Sequence, residues 1–416
     1  MKEQNVSSLP LTPYRVLDLT DEKGYFCGKV LGDFGADVIK IEKPMGDPSR
    51  NKGPFYHNIP HPERSLSWFA CNINKRSITL NIESLDGQEI FKRLVKNAHF
   101  IVESFPQGYM EKVGLDYTEL EKLNPRIILV SITPFGQTGL CKDYKASDIV
   151  YMGMGGMMYI SGDPDRAPIR ISVEQSYFQA GAQAASAAMI AHYHRQMTGE
   201  GQKIDLSIHE SVVCSTHLTS FFWEIGGKNV RREGDRVSRG TVSPRMIWPC
   251  KDGYISWRIW VAQQGSRTRA MVEWANIERK AEELKDLDWE KMDFNQLTQE
   301  QLELWEKQFI DFFLTHTKTE LYEEAIKRGI ILFPINTVKD LREDIQLQWR
   351  DFWLEVEHKE LADTITYPGA PIKSSEFDCQ IRYRPPLIGE HNEDIYHYEL
   401  GITQEELVVL KEGGCI

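Results

Sequence analysis

Lysines beside predicted strand ends are the residues of this sequence best suited to chemistry. They are Lys43, Lys75, Lys112 and Lys145. Ammonium groups at one edge of a sheet form charge-assisted hydrogen bonds to phosphate oxygens, each contributing about 1.5–3 kcal/mol. Taken singly, each lysine fits a solvated surface residue better than a ligand contact. Their shared position at strand ends favours a site for a polyphosphate ligand.

The common cofactor and hydrolase motifs are absent from the sequence. The turn after the first predicted strand, Asp21 to Gly24, lacks the GxGxxG of dinucleotide-binding folds. No GxSxG, GxxxxGK[ST] or HExxH occurs, and His192 and His194 would point to different sides of a predicted helix. We therefore expect no metal site and no permanently bound cofactor.

An alternation of strand and helix signals over the first 135 residues would position the lysines. Short apolar segments rich in β-branched residues are separated by segments of helical periodicity. The predicted strands are Arg15–Thr20, Asp37–Glu42, Ser77–Asn81, Phe100–Glu103 and Ile127–Thr133. The alternation predicts an α/β fold with a mostly parallel sheet, in which ligands bind at the carboxyl ends of the strands.

The regular alternation of strand and helix signals does not continue beyond the first 135 residues. Ala180–Met197 reads as a long helix whose small residues, three and four apart, allow another backbone to approach closely. Beyond about residue 226 the sequence is less regular, with a hairpin predicted around Cys250–Trp257 and helices rich in Glu and Lys. We divide the chain into a large domain (1–225), a smaller α+β domain (226–338) and a C-terminal segment (339–416).

Composition excludes several classes of partner. Lys and Arg number 49 against 61 Asp and Glu, and the net charge of −12 disfavours nucleic acid and anionic membranes. The seven cysteines include no CxxC pair, which argues against a disulfide framework and suits a reducing compartment. No segment approaches the ~18 apolar residues of a membrane span. We expect a cytoplasmic protein.

Eight motifs follow one another through the chain. They are VLDLT (16–20), LGDFGADVIKIEKP (31–44), NKRSITLN (74–81), DGQEIFKRLVKNAHFIVESFPQGYMEKVGLDY (86–117), NPRIILVSITPFGQTG (124–139), KASDIVYMGMGG (145–156), TGEGQKIDLSIHES (198–211) and PPLIGEHNEDI (385–395). Each is weakly specific by itself. In this order and spacing they resemble the class III CoA-transferases, the group of formyl-CoA, carnitine and bile-acid CoA-transferases.

This resemblance implies a fold and a set of ligand contacts. The large domain would hold an open Rossmann-like sheet, completed by the C-terminal segment, and two chains would interlock as a dimer. Coenzyme A esters would be substrates, with Lys43 near the adenosine and phosphate end. The implied CoA-binding residues are Lys43, Lys75, Ser104, Phe105, Lys112 and Lys145.

The resemblance also implies a reaction, for which this sequence lacks one expected residue. In the family an aspartate attacks the thioester, giving a mixed anhydride and CoA thiolate; the thiolate then forms an enzyme thioester, and the acceptor acid reverses the sequence. That aspartate lies four residues before the position of Gly181 and 21 before that of Thr198. Both offsets give Tyr177, and a phenol cannot replace the carboxylate.

Three interpretations of Tyr177 stay open. The chain resembles the subunit without the catalytic aspartate in heteromeric enzymes of the benzylsuccinate CoA-transferase type, where a homologous partner supplies that residue. Alternatively, Glu174 is the nucleophile of a homodimeric enzyme; Asp148 is a weaker candidate that more plausibly caps a helix or orients a partner group. The third interpretation is a non-catalytic, regulatory or racemase-like protein that binds CoA esters.

For the substrates, the resemblance favours succinyl-CoA as donor and an aromatic dicarboxylic acid, such as benzylsuccinate, as acceptor.

Overall fold

The structure, a computed structural model, describes residues 9–416, which form two compact units. The larger unit contains residues 9–157, 171–221 and 345–416. The smaller unit contains residues 222–344 together with the short segment 158–170. The domain limits inferred above, 1–225, 226–338 and 339–416, stay a proposal.

The larger unit is built on a six-stranded sheet in which all neighbouring strands are parallel, with the order β3-β2-β1-β4-β5-β6. Its strands are β1 (Arg15–Leu19), β2 (Asp37–Glu42), β3 (Lys75–Thr79), β4 (Phe100–Glu103), β5 (Ile128–Thr133) and β6 (Gln202–Ser207). The predicted α/β class with an open parallel sheet is confirmed.

The remaining strands form two small antiparallel sheets. They are β7 (Ile247–Cys250), β8 (Gly253–Ser256) and β9 (Phe333–Pro334) in the smaller unit, and β10 (Trp353–His358) and β11 (Asp363–Pro368) in the larger. The pairing of β7 with β8 confirms the predicted hairpin.

Fifteen α-helices are assigned within residues 9–416. They are α1 (Tyr25–Asp33), α2 (Leu66–Cys71), α3 (Leu85–Lys96), α4 (Tyr109–Lys112), α5 (Tyr117–Leu123), α6 (Asp148–Met154), α7 (Gln175–Thr198), α8 (Ile208–Ser215), α9 (His217–Gly226), α10 (Gly265–Ile277), α11 (Gln299–Phe313), α12 (Lys318–Lys327), α13 (Val338–Glu343), α14 (Ile345–Trp349) and α15 (Gln404–Glu412). Residues Glu393–Glu399 form a π-type helix.

The start of α3 shows how local sequence places the helices beside the sheet. The Ser84 hydroxyl accepts a hydrogen bond from the Gly87 amide (3.1 Å) and so caps the helix. Position 87 must be glycine, because a Cβ there would lie 1.9 Å from the Asn81 carbonyl oxygen. The side chains of Ile90, Phe91, Leu94 and Val95 in α3 then pack into the main core of the unit.

The small residues of α7 pack against the same chain. Ala180, Ala184 and Ala188 are fully buried. A Cβ at Gly181 would lie 2.8 Å from the Phe26 Cβ and 3.0 Å from the Cys27 nitrogen of α1. The predicted close approach is therefore present, and its neighbour is α1. The interlocked dimer stays a prediction.

The smaller unit has its own aromatic core. Trp248 and Trp257 are buried and pack against Phe309 and Phe313 of α11. The Trp248 indole donates a hydrogen bond to the Trp257 carbonyl (2.6 Å), so its polar atom is satisfied in an otherwise apolar site. In the part of the chain described, no helix has both the length and the apolar run to cross a bilayer.

Candidate functional site

A pocket of about 610 Å³ lies at the carboxyl-terminal edge of the six-stranded sheet. Its apolar lining includes Leu19, Ile41, Leu80, Phe105 and Pro134, at or just beyond the ends of β1 to β5. The strand order reverses between β1 and β4, and open parallel sheets bind ligands at such a switch point. The volume is that of a small-molecule site, about 300–1,000 Å³.

Asp21 and Ser104 join the two loops at the switch point. The Ser104 hydroxyl donates to the Asp21 carboxylate (2.8 Å) and accepts from the Asp21 amide (2.8 Å). Asp21 also forms an ion pair with Lys23. These contacts hold the loops after β1 and β4 in fixed positions on the pocket wall.

Five lysines line the pocket: Lys23, Lys43, Lys52, Lys142 and Lys145. Lys23 pairs with Asp21 and Lys52 with Glu22, whereas the ammonium of Lys43 is exposed and lies 3.6 Å from Glu83. Lys142 and Lys145 are exposed, and residues 9–416 supply neither with an ion-pair partner. The cations available to a ligand are therefore Lys43, Lys142 and Lys145.

An aromatic surface stands beside these cations. The rings of Phe105 and Tyr109 are stacked, with centroids 4.4 Å apart and planes inclined by 28°. The Tyr109 hydroxyl donates to Glu83 (2.8 Å), which fixes the ring. Both rings line the pocket and offer a flat face to a planar ligand group.

Lys75 does not line the pocket, contrary to the sequence-based expectation. It is the first residue of β3, at the amino end of the strand, and it is fully buried. Its ammonium donates to the Asp18 carboxylate (2.8 Å), the Tyr25 carbonyl (2.9 Å) and the Asn72 side chain (2.9 Å). Because all three donor sites are used inside the fold, we reassign Lys75 from ligand contact to structural residue.

Asp18, Lys75 and Lys40 form a buried charge cluster beneath α1. Burial alone would raise the pKa of Asp18, but the charges of Lys75 and Lys40 outweigh it and the pKa lies below its usual value. Burial lowers the pKa of Lys75, and Asp18 only partly offsets this. Gly28 leaves space for the pair, since a Cβ there would lie 2.4 Å from the Asp18 carboxylate.

The other sequence-predicted contacts divide between pocket and surface. Ser104 and Phe105 line the pocket with Lys43 and Lys145. Lys112, the last residue of α4, is exposed and is not part of the lining. The structure thus brings together four of the six predicted CoA-binding residues.

Tyr177, which occupies the expected position of the nucleophile, lies in the first turn of α7 and is buried. Its ring packs edge-on against Tyr151, with the centroids 6.2 Å apart. Burial and the neighbouring Tyr151 raise the pKa of Tyr177, although the Asp148 amide hydrogen-bonds to its oxygen. At neutral pH the side chain is therefore a neutral phenol.

Asp148 and Glu174 differ in their surroundings. Asp148 is buried, and its carboxylate accepts from the Ser176 amide (3.0 Å) and hydroxyl (2.7 Å), which anchors the start of α7. Glu174 precedes α7 and is exposed. Burial alone would lower the pKa of Lys52, but the carboxylates of Glu22 and Glu174 outweigh it and the pKa lies above its usual value. The Glu174 carboxylate is therefore close enough to act on a lysine of the pocket.

The chain matches the model of CoA-transferase family III over residues 11–392. It belongs to this family. It is 33% identical to the succinyl-CoA:(R)-benzylsuccinate CoA-transferase subunit BbsE of Thauera aromatica, across 97% of each chain. It is 30% identical to the formyl-CoA:oxalate CoA-transferase of Streptomyces avermitilis, across 97% of this chain and 98% of that protein. The predicted family is confirmed.

A solved structure agrees with this family. The CAIB/BAIF family protein from Brucella suis superposes with a TM-score of 0.82 at 29% identity, covering 94% of this chain and 99% of that one. The family match makes this chain a CoA-transferase, a class of enzyme that uses CoA thioesters as substrates. Within residues 9–416, no three His, Cys, Asp or Glu side chains are grouped as metal ligands.

Sequence reasoning missed three pocket lysines of this CoA-transferase. Lys23 lies in the loop after β1, four residues beyond Leu19, so the strand-end rule that selected Lys43 extends to it. Lys142 precedes Lys145 by three residues in the same loop. Lys52 follows a short 3₁₀ segment, Pro48–Asn51, and no strand or motif signal marked it.

Proposed function

We propose that this chain is the CoA-ester-binding subunit of a heteromeric CoA-transferase whose homologous partner supplies the catalytic aspartate. The observation that carries the proposal is Tyr177, a buried neutral phenol at the position of the family's nucleophile. Further support comes from the similar protein BbsE, which is itself named as a subunit. We propose succinyl-CoA as donor and an aromatic dicarboxylic acid such as benzylsuccinate as acceptor, in the cytoplasm.

The pocket suits the nucleotide part of coenzyme A. The exposed ammonium groups of Lys43, Lys142 and Lys145 provide donors for the phosphates, without which the acidic protein would repel the ligand. The stacked rings of Phe105 and Tyr109 provide a face for the adenine. We propose that CoA lies along the carboxyl ends of β1 to β5.

The proposed chemistry proceeds through the partner's carboxylate. That carboxylate attacks the thioester carbonyl, the carbon–sulfur bond breaks, and CoA leaves as a thiolate while an acyl anhydride forms. The thiolate attacks the anhydride at the partner's carboxyl carbon, releasing the donor acid and leaving an enzyme thioester. The acceptor acid then repeats both steps in reverse. Water must be excluded throughout, because it would hydrolyse the anhydride.

An exposed apolar helix supports a partner subunit. In α9 the side chains of Leu218, Phe221, Phe222, Trp223 and Ile225 are 48–83% exposed. Contiguous apolar surface of this kind marks protein–protein interaction sites. We propose that α9 belongs to the subunit interface.

The second candidate function is a homodimeric CoA-transferase that uses Glu174. One observation favours it: Glu174 is an exposed carboxylate near Lys52, which lines the pocket.

An exchange assay distinguishes these functions. We expect the purified chain alone to transfer CoA from succinyl-CoA to benzylsuccinate at least about 1,000-fold more slowly than the chain mixed with its homologous second subunit, because a lost nucleophile lowers kcat by orders of magnitude. Glu174→Gln in the mixture is expected to retain the rate. Rapid exchange by the lone chain that is lost in Glu174→Gln would instead establish the homodimeric enzyme.

A further inference from the structure

The smaller unit contains a second pocket, of about 410 Å³, beside a cluster of arginines. Arg239 and Arg258 line it, and the guanidinium carbon of Arg258 lies 3.3 Å from the centroid of the Trp260 ring. Arg267 packs on the same ring at 4.8 Å. Two guanidinium groups thus stack on one indole, next to an open cavity.

The positive charge of this cluster is not neutralised within residues 9–416. Burial lowers the pKa of Arg258, and the charges of Arg239 and Arg267 lower it further, with no carboxylate acting against them. Like charges held together in this way favour an anionic ligand. The neighbouring Arg236, by contrast, is paired with the buried Glu306 (2.7 Å).

The walls of the pocket are fixed by hydrogen bonds. The Thr268 hydroxyl accepts from the Trp260 amide (2.6 Å) and donates to the Trp260 carbonyl (2.8 Å). The Thr241 hydroxyl donates to the Phe294 carbonyl (2.9 Å), which ties the loop bearing Arg239 to the opposite wall. Ala262, also in the lining, has φ of +54°, a strained conformation that persists only where the surroundings enforce it.

The lining defines the kind of anion that fits. Besides the arginines it contains Val237, Pro244, Ile259, Val261 and Phe294, so much of the wall is apolar. A guanidinium group matches the two oxygens of a carboxylate in its planar fork. The combination suits a carboxylate that carries an apolar body better than it suits a heavily hydrated polyphosphate.

We propose that this pocket binds the free organic acid, with Arg239 and Arg258 holding a carboxylate and the apolar wall holding its aromatic part. The inference rests on the proposed function, since it assigns the acid of the exchange reaction to a site of its own. Binding there requires no CoA ester.

The test is calorimetric titration of the full-length chain with benzylsuccinate, without CoA. We expect Arg258→Gln and Arg239→Gln each to weaken binding about tenfold or more, because each removes a charged hydrogen-bond donor. Arg170→Gln, at an exposed arginine outside the pocket lining, is the matched control and is expected to leave affinity unchanged. The uncharged dimethyl ester is expected not to bind.

Separate outcomes would overturn the inference and the proposed function. The inference fails if the wild type binds no benzylsuccinate, if both pocket variants bind like Arg170→Gln, or if inorganic phosphate competes as well as the acid does. Because Arg239 is exposed, its variant keeps the test valid if Arg258→Gln is found unfolded by circular dichroism. CoA titrated into the same proteins should bind equally; absence of CoA binding contradicts the proposed function alone.

Discussion

Replacing Lys75 with methionine is expected to lower the free energy of unfolding by about 3–5 kcal/mol, because it leaves a buried carboxylate without its closest cation. The Asp18 side chain is fully buried, and Lys75 lies 2.8 Å from it, whereas Lys40 lies at 3.8 Å. Methionine fills similar space without charge, so the loss reports on the ion pair. Urea unfolding followed by circular dichroism measures the change.

Two variants control this experiment. Lys122→Met removes an exposed ammonium paired with Glu119 and is expected to change stability little. Asp18→Asn combined with Lys75→Met is expected to recover part of the loss, since the unpaired charge is gone. If Lys75→Met were as stable as the wild type but bound CoA weakly, Lys75 would be a ligand contact and the structural assignment would be wrong.

Replacing Lys43 and Lys145 together with glutamine is expected to weaken CoA binding about 100-fold, because each charged donor to a phosphate contributes about tenfold or more. Both ammonium groups are exposed at the pocket, and Lys43 has only a long contact with Glu83. Titration calorimetry with CoA at constant ionic strength measures the effect. The difference between wild type and variant is expected to shrink as salt is added.

The matched control for this pair is Lys112→Gln, at an exposed lysine outside the pocket lining. We expect its affinity for CoA to equal that of the wild type. Unchanged affinity for CoA in the double variant would show that CoA does not bind at this edge of the sheet. A loss in Lys112→Gln as large as that of the pair would show that CoA extends over α4.

The parallel sheet was predictable because strands buried on both faces are nearly continuous apolar segments. The exact strand ends were not. β3 begins at Lys75, two residues before the predicted start. No sequence pattern indicates that Lys75 forms an ion pair with Asp18, 57 residues earlier in the chain. Lys75 stands at the amino end of the strand with either start, so its place in the chain already put it on the side of the sheet opposite the pocket.

The packing of α7 shows a second limit of prediction from sequence. Small residues three and four apart predict that a backbone comes close, and Gly181 does pack against Cys27. The pattern cannot tell whether that backbone belongs to the same chain or to another. Only tertiary structure identifies α1 as the partner helix.

The arginines of the smaller unit were beyond sequence reasoning for a similar reason. Arg239 stands in a basic loop with Arg231, Arg232 and Arg236, and spacing alone does not separate a paired arginine from an unpaired one. Arg236 forms an ion pair with Glu306, whereas the charge of Arg239 acts on the like charge of Arg258. Charge pairing over such separations follows from the fold.

A crystal structure of the heteromer with a non-hydrolysable succinyl-CoA thioether would test the proposed function most directly. We expect the phosphates beside Lys43 and Lys145 of this chain, with an aspartate of the second subunit facing the carbon that replaces the thioester carbonyl. Density for CoA away from this edge of the sheet, or Glu174 of this chain in contact with that carbon, would contradict it.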